Sequence, residues 1–185
     1  MIAFLVRTEP GQAAITKIQD LLVPEKQVKE NIEGIEEKTD VSLNRSEMGY
    51  VIYIDENRYT MDKSENKDKI IPRDKAENLP EVFMEIEQVE NEAVEEVAIE
   101  IEKKLRYNFK MTESNGRVKE PIEGIYLYAN TGNQRNDTVV KYYIIDNTKG
   151  GSFIIKHQFS LEASEGHGVR FDNMLKEFKI IPLEE

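Results

Sequence analysis

A chain of 185 residues has room for one core with a short appendage. Apolar residues make up 39% and charged residues 33%, and 36 acidic against 25 basic side chains leave a formal charge of −11. That balance excludes full disorder and argues against nucleic acid or an anionic lipid surface as partner, since both need a basic footprint. The lack of cysteine removes disulfides, thiolate zinc sites and cysteine nucleophiles together.

The opening Met1-Ile2-Ala3-Phe4-Leu5-Val6 before Arg7 is too short for a signal peptide and reads as a strand or an ordered terminus. The remnant of a leader is the alternative. No apolar run reaches the length of a transmembrane helix. Residues 11 to about 39 are expected to be helical, from Ala13, Ala14, Ile15, Ile18, Leu21 and Leu22 and then a thinner stripe of Val28, Ile32 and Ile35. Pro24 interrupts this segment and Gly34 weakens its second half. This divides the chain into an N-terminal helical appendage, residues 1–44, and a main domain, residues 45–185.

From there β patterning takes over. Gly49 to Ile54 is a strand rich in aromatic and β-branched residues, and Arg58 to Met61 returns from the turn Asp55-Glu56-Asn57. Lys69 to Pro72 is a short strand, with the proline marking an edge or an end. Val82 to Glu87 alternates as a half-exposed strand. Glu90 to Arg106 is the clearest helix, with Val94, Val97, Ala98, Ile101 and Leu105 on one face and charge placed to suit the helix dipole. Asn108 to Met111 is a strand candidate, Asn115-Gly116 a turn, and Gly124 to Ala129 a further strand.

The C-terminal third is the most sharply patterned. Val139 to Ile145 is apolar on both faces, as in a central strand covered on both sides. Asn147 to Gly151 carries hairpin chemistry. In the returning strand Phe153, Ile155, His157, Phe159 and Leu161 share one face. Ser164 is expected to cap a final helix whose apolar stripe is Phe171, Met174, Leu175 and Phe178.

The hairpin opened by Gly49-Tyr50-Val51-Ile52 and the run strand–Gly-Gly–strand–Glu-Gly-His-Gly–helix, with KYYIIDNTKGGSFII, SEGHG and NMLKEF, resemble the PsbP/Mog superfamily over about residues 45–182. That group includes the photosystem II extrinsic protein, a Ran-binding import factor and many bacterial secreted or lipid-anchored proteins, and the bacterial branch is the closest. The resemblance implies an antiparallel sheet with helices on both faces, an α/β/α sandwich. It also implies a protein-binding or metal-binding role at the cell surface or outside the cell. The chain has neither tryptophan nor a lipobox cysteine, so neither a photosynthetic role nor lipid anchoring carries over.

Candidate chemistry centres on His157, Glu162, Glu165 and His167, since imidazole and carboxylate suit a divalent metal. Strand alternation sets His157 and Glu162 on opposite faces, and His157 keeps company with core residues, so it is expected as a packed, hydrogen-bonded histidine. Glu165 and His167, two apart at a helix start, point in different directions. Gly166 and Gly168 fit a tight strand-to-helix corner better than a phosphate loop. Arg170 is expected to pair with Glu165 or with a sheet carboxylate. Asn133, Gln134 and Arg135 lie in a polar loop of the kind that carries recognition.

These features predict a non-enzymatic binding or interaction protein, without cofactor and with a protein partner. Two alternatives stand beside it. One is a divalent-metal protein centred on His157 and His167, and the other is self-association through residues 11–39.

Overall fold

The computed structural model describes residues 22–74 and 79–181. It opens with a β-hairpin, β1 (Glu25–Ile32) and β2 (Ile35–Ser46), joined by Glu33 and Gly34. Both turn residues have positive φ, 54° and 80°, the backbone of a two-residue turn that matches strand twist. Residues 25–39 are therefore strand, where the apolar spacing predicts helix. The expected boundary at residue 44 falls inside β2, and the helical expectation for residues 11–21 lies outside the described residues. The helical stripe joined Val28 and Ile32 of β1 to Ile35, which is exposed at the start of β2. Strand period would have required an apolar residue at 30, and that buried position holds Glu30.

β3 (Tyr50–Ile54) pairs with β2 and with the two-residue β11 (Lys179–Ile180), completing a four-stranded antiparallel sheet in the order β1-β2-β3-β11. All five residues of β3 are buried, which accounts for its unbroken apolar sequence.

The second sheet has seven antiparallel strands in the order β4-β5-β6-β10-β9-β8-β7. These are β4 (Tyr59–Lys63), β5 (Lys67–Pro72), β6 (Phe83–Val89), β7 (Met111–Val118), β8 (Gly124–Asn130), β9 (Thr138–Asp146) and β10 (Ser152–Ser160). Asn115-Gly116, expected as a turn, lies within β7. The register against β8 shifts between Ser114 and Gly116, and Gly116 at φ 65° absorbs the extra residue as a bulge. The strand expected at Asn108–Met111 accordingly starts at Met111 and runs on to Val118.

Helix α1 (Val94–Asn108) lays Val97, Ala98, Ile101 and Leu105 on Leu127, Ala129, Val140 and Ile144, covering the outer face of β8 and β9. The inner face of the large sheet meets the small sheet and α2 (His167–Lys176). There Tyr50, Ile52 and Ile54 pack with Ile86, Phe153, Ile155, Phe159, Phe171 and Leu175. Each such fully buried side chain contributes about 1.5–3 kcal/mol of transfer free energy. Tyr50 stacks on Phe178 at 4.8 Å and meets Phe153 edge-on at 5.7 Å.

This arrangement corrects the expected fold. The protein is mostly β, with two antiparallel sheets, and is not an α/β/α sandwich with helices on both faces. The inner face of the large sheet buries itself against a second sheet, two of whose four strands are the β1–β2 hairpin the sequence disguised as helix. A smaller correction concerns the last helix. Its N-cap is Gly166, without a side-chain cap, and Ser164 belongs to the 3₁₀ turn Leu161–Ser164 that precedes it.

Candidate functional site

The polar side chains on the inner face collect where β8, β9 and β10 pass beside α2. Alternation along β8 puts Tyr126, Tyr128 and Asn130 on one face, and alternation along β9 puts Lys141 and Tyr143 there. Registration completes the row. Glu113 of β7 lies opposite Tyr128, Tyr128 opposite Lys141, and Lys141 opposite His157 of β10. Tyr126 lies opposite Tyr143, with ring centroids 5.0 Å apart.

Asp172 reaches this row from α2. Its Oδ2 accepts from Lys141 Nζ at 2.6 Å, and its Oδ1 accepts from Tyr143 Oη at 3.1 Å. His157 Nδ1 stands 3.5 Å from the same Oδ1, beyond ordinary hydrogen-bond length. The His157 ring is fully buried, and neither nitrogen has a hydrogen-bond partner. Burial, helped by the charge of Lys141, pushes its pKa well below the ordinary histidine value, so the ring is neutral near pH 7. Burial first and Asp172 second push the phenols of Tyr126 and Tyr143 upward. Asn130 donates through Nδ2 to Tyr128 Oη at 3.1 Å, while its buried Oδ1 has no partner. The surface thus presents the half-buried Tyr126 and Tyr128 beside a lysine–aspartate pair that is 18% and 25% exposed, with Tyr143 buried beneath them.

The residues singled out from sequence fall into separate places. Asn133, Gln134 and Arg135 occupy the β8–β9 loop. There the Asp137 carboxylate accepts from Gln134 N at 2.7 Å and Thr131 Oγ1 at 2.9 Å, bonds that lower its pKa. Arg135 forms an ion pair with Glu162, and Glu162 N donates to Arg135 O, which ties the loop to the 3₁₀ turn. Glu165 is exposed. Arg170 turns away from Glu165 to two sheet carboxylates, Glu30 at 3.1 Å and Glu37 at 2.9 Å.

His167 sits in the first turn of α2, where Nδ1 shares a 2.8 Å hydrogen bond with Tyr59 Oη. It also borders a cavity of about 230 Å³ walled by Ile71, Pro72 and Val82. Its neighbour Gly168 faces the Phe159 ring so closely that a Cβ would lie 3.0 Å from Cζ. The glycine therefore serves the strand-to-helix corner. Both histidines pack against Phe171, at 5.3 Å for His157 and 6.2 Å for His167, but they meet different polar partners. Among the described residues no group of three His, Cys, Asp or Glu is arranged to hold a metal ion. Also among the described residues, no helix is long and apolar enough to cross a membrane.

Sequence reasoning missed Lys141, Tyr143, Asp172, Tyr126 and Tyr128. A signal was present in the lone lysine inside VVKYYII and the Tyr-x-Tyr of β8. Assigning them to one surface required the β8–β9–β10 register.

A family model described as a domain of unknown function, DUF8580, matches residues 22–178, and the chain belongs to that family. The match takes in both sheets from β1 to β10, and both helices. No curated protein matches the chain.

Proposed function

We propose that this domain is a non-enzymatic binding module whose partner-facing surface is the inner face of β8 and β9 beside α2. The observation that carries this reading is the cross-strand set Tyr126, Tyr128 and Lys141 closed by Asp172, which the buried Tyr143 holds from beneath. Tyrosines give large, stiff contact area at small entropic cost, and their hydroxyls adapt to either a donor or an acceptor. The lysine–aspartate pair neutralises its own charge, so the surface suits a protein partner better than a simple ion. The acidic balance of the chain, −11, favours a partner with a basic contact face.

Cross-linking in the cells that produce the protein tests this. A partner captured by the native chain should be lost with Tyr128→Ala and with Tyr126→Ala, while both variants keep the native circular dichroism spectrum. Capture undiminished in both variants would reject this face as the binding surface.

A further inference from the structure

The only two histidines of the chain, His157 and His167, both pack against one ring of α2, that of Phe171. We infer that α2 is a pH-sensitive latch over the inner face, with His157 as its sensor. Partner access as the consequence rests on the binding surface proposed above, whereas the opening of the helix does not.

The groups around His157 leave no place for its protonated form. From β9, Lys141 lies at the opposing register position and Tyr143 packs on the imidazole at 5.5 Å. From β6, Met84 lies opposite on the other side. From α2, Phe171 covers the ring and Asp172 is already committed to Lys141 and Tyr143. Tyr126 of β8 stands behind Tyr143. A proton on the fully buried imidazole must therefore draw in Asp172 Oδ1, the oxygen that Tyr143 holds, or admit water. Either change requires α2, which carries both Asp172 and Phe171, to move from the sheet.

The helix is held elsewhere by Arg170 to Glu30 and Glu37, and by Lys26 to Glu177 at 2.6 Å. None of these pairs involves a histidine. His167, facing Tyr59 and the cations Arg170 and Arg58, is only partly buried and can take its proton from solvent with less displacement.

The neutral ring is favoured in the closed state and the ring titrates near its ordinary value once released. The closed state is therefore fully favoured above about pH 6.5 and loses ground as pH falls below it. Opening that takes up one proton should grow about tenfold per pH unit.

Native-state hydrogen exchange on the full chain, from about pH 7.5 to about pH 5, reads this directly once corrected for intrinsic exchange. Protection at the amides of Phe171, Met174 and Leu175 should fall about tenfold per unit below about pH 6.5, while Ile155 and Phe159 in β10 keep theirs. His157→Leu should flatten the profile, and His167→Gln should retain it. Should His157→Leu fold poorly, the titration of His157 itself by NMR decides: its pKa must lie below the usual value, while helix opening already begins to grow near that usual value, and an unshifted His157 would overturn its role as sensor. Protection that is independent of pH, that falls equally in β10, or that falls unchanged in His157→Leu would overturn the latch. A flat profile in His167→Gln would overturn His157 as its sensor.

Discussion

Arg170 and Glu30, 140 positions apart, form an ion pair of 3.1 Å with side chains only 10% and 8% exposed. Glu30 Oε2 also accepts from Thr39 Oγ1 at 3.0 Å, and its Oε1 accepts from Asn173 Nδ2 at 3.2 Å. The second guanidinium nitrogen reaches Glu37, which lowers the pKa of that carboxyl chiefly through the hydrogen bond itself. One arginine thus ties α2 to both strands of the N-terminal hairpin.

Removing it should be costly. Arg170→Ala leaves Glu30 buried with two neutral donors and no cation, and the expected loss is about 3 kcal/mol in urea unfolding. The paired replacement Arg170→Met with Glu30→Leu removes both charges and should recover most of that loss. Wild-type stability in Arg170→Ala would show that the pair does not anchor the helix, and a double variant no more stable than the single would show that the buried charge of Glu30 is not the source of the loss.

Asp68 plays a similar part between the sheets. It is 1% exposed on β5 and accepts from Ser46 Oγ at 2.5 Å and Tyr50 Oη at 2.6 Å, both from the small sheet. Asp68→Ala strands two buried hydroxyls and should cost about 2–3 kcal/mol. Adding Tyr50→Phe to it should then cost less than Tyr50→Phe alone, which a double-mutant cycle measures.

Gly124 opens β8 against the end of β9. A Cβ there would lie 2.5 Å from Ile144 O and 2.7 Å from Ile145 Cγ2. Backbone cannot yield as a flexible side chain can, so Gly124→Ala should destabilise by about 1–3 kcal/mol. Thermal unfolding checks this, and an unchanged midpoint would contradict the close approach.

His167 offers a titration test independent of His157. Its pKa is lowered by burial first, then by the charges of Arg170 and Arg58. Arg58→Ala removes one repelling cation and should raise the pKa seen by NMR. Because the folded value lies below the unfolded one, the stability tied to neutral His167 is complete above about pH 6.5 and is lost as pH falls. Arg58→Ala should therefore reduce the acid loss attributable to this residue.

Legibility in the sequence followed how local the determining physics was. The alternation in β10, the doubly apolar run of β9 and the stripe of α1 were all readable, because each face meets one uniform environment. The hairpin β1–β2 was not, because Glu30 holds a buried position through Arg170 and Thr39, partners that no local pattern reveals. The Asn115-Gly116 signal was real but was spent on a bulge within a continuing strand. His157 lies among core residues as its face predicted, but without the hydrogen bond expected of it, and the aspartate beside it comes from another element.

By itself, then, the sequence determined where most of the chain extends, where it turns at Asn147 to Gly151, and which side of each strand is apolar. Those are matters of backbone preference and periodicity within a few residues. Only the tertiary structure decided that the strands form two sheets, that Lys141, Tyr143 and Asp172 share one surface, and that both histidines meet on Phe171. Those outcomes depend on strand register and on buried charges finding partners up to 140 residues away, and the energy of such a pairing exists only once the chain has closed around it.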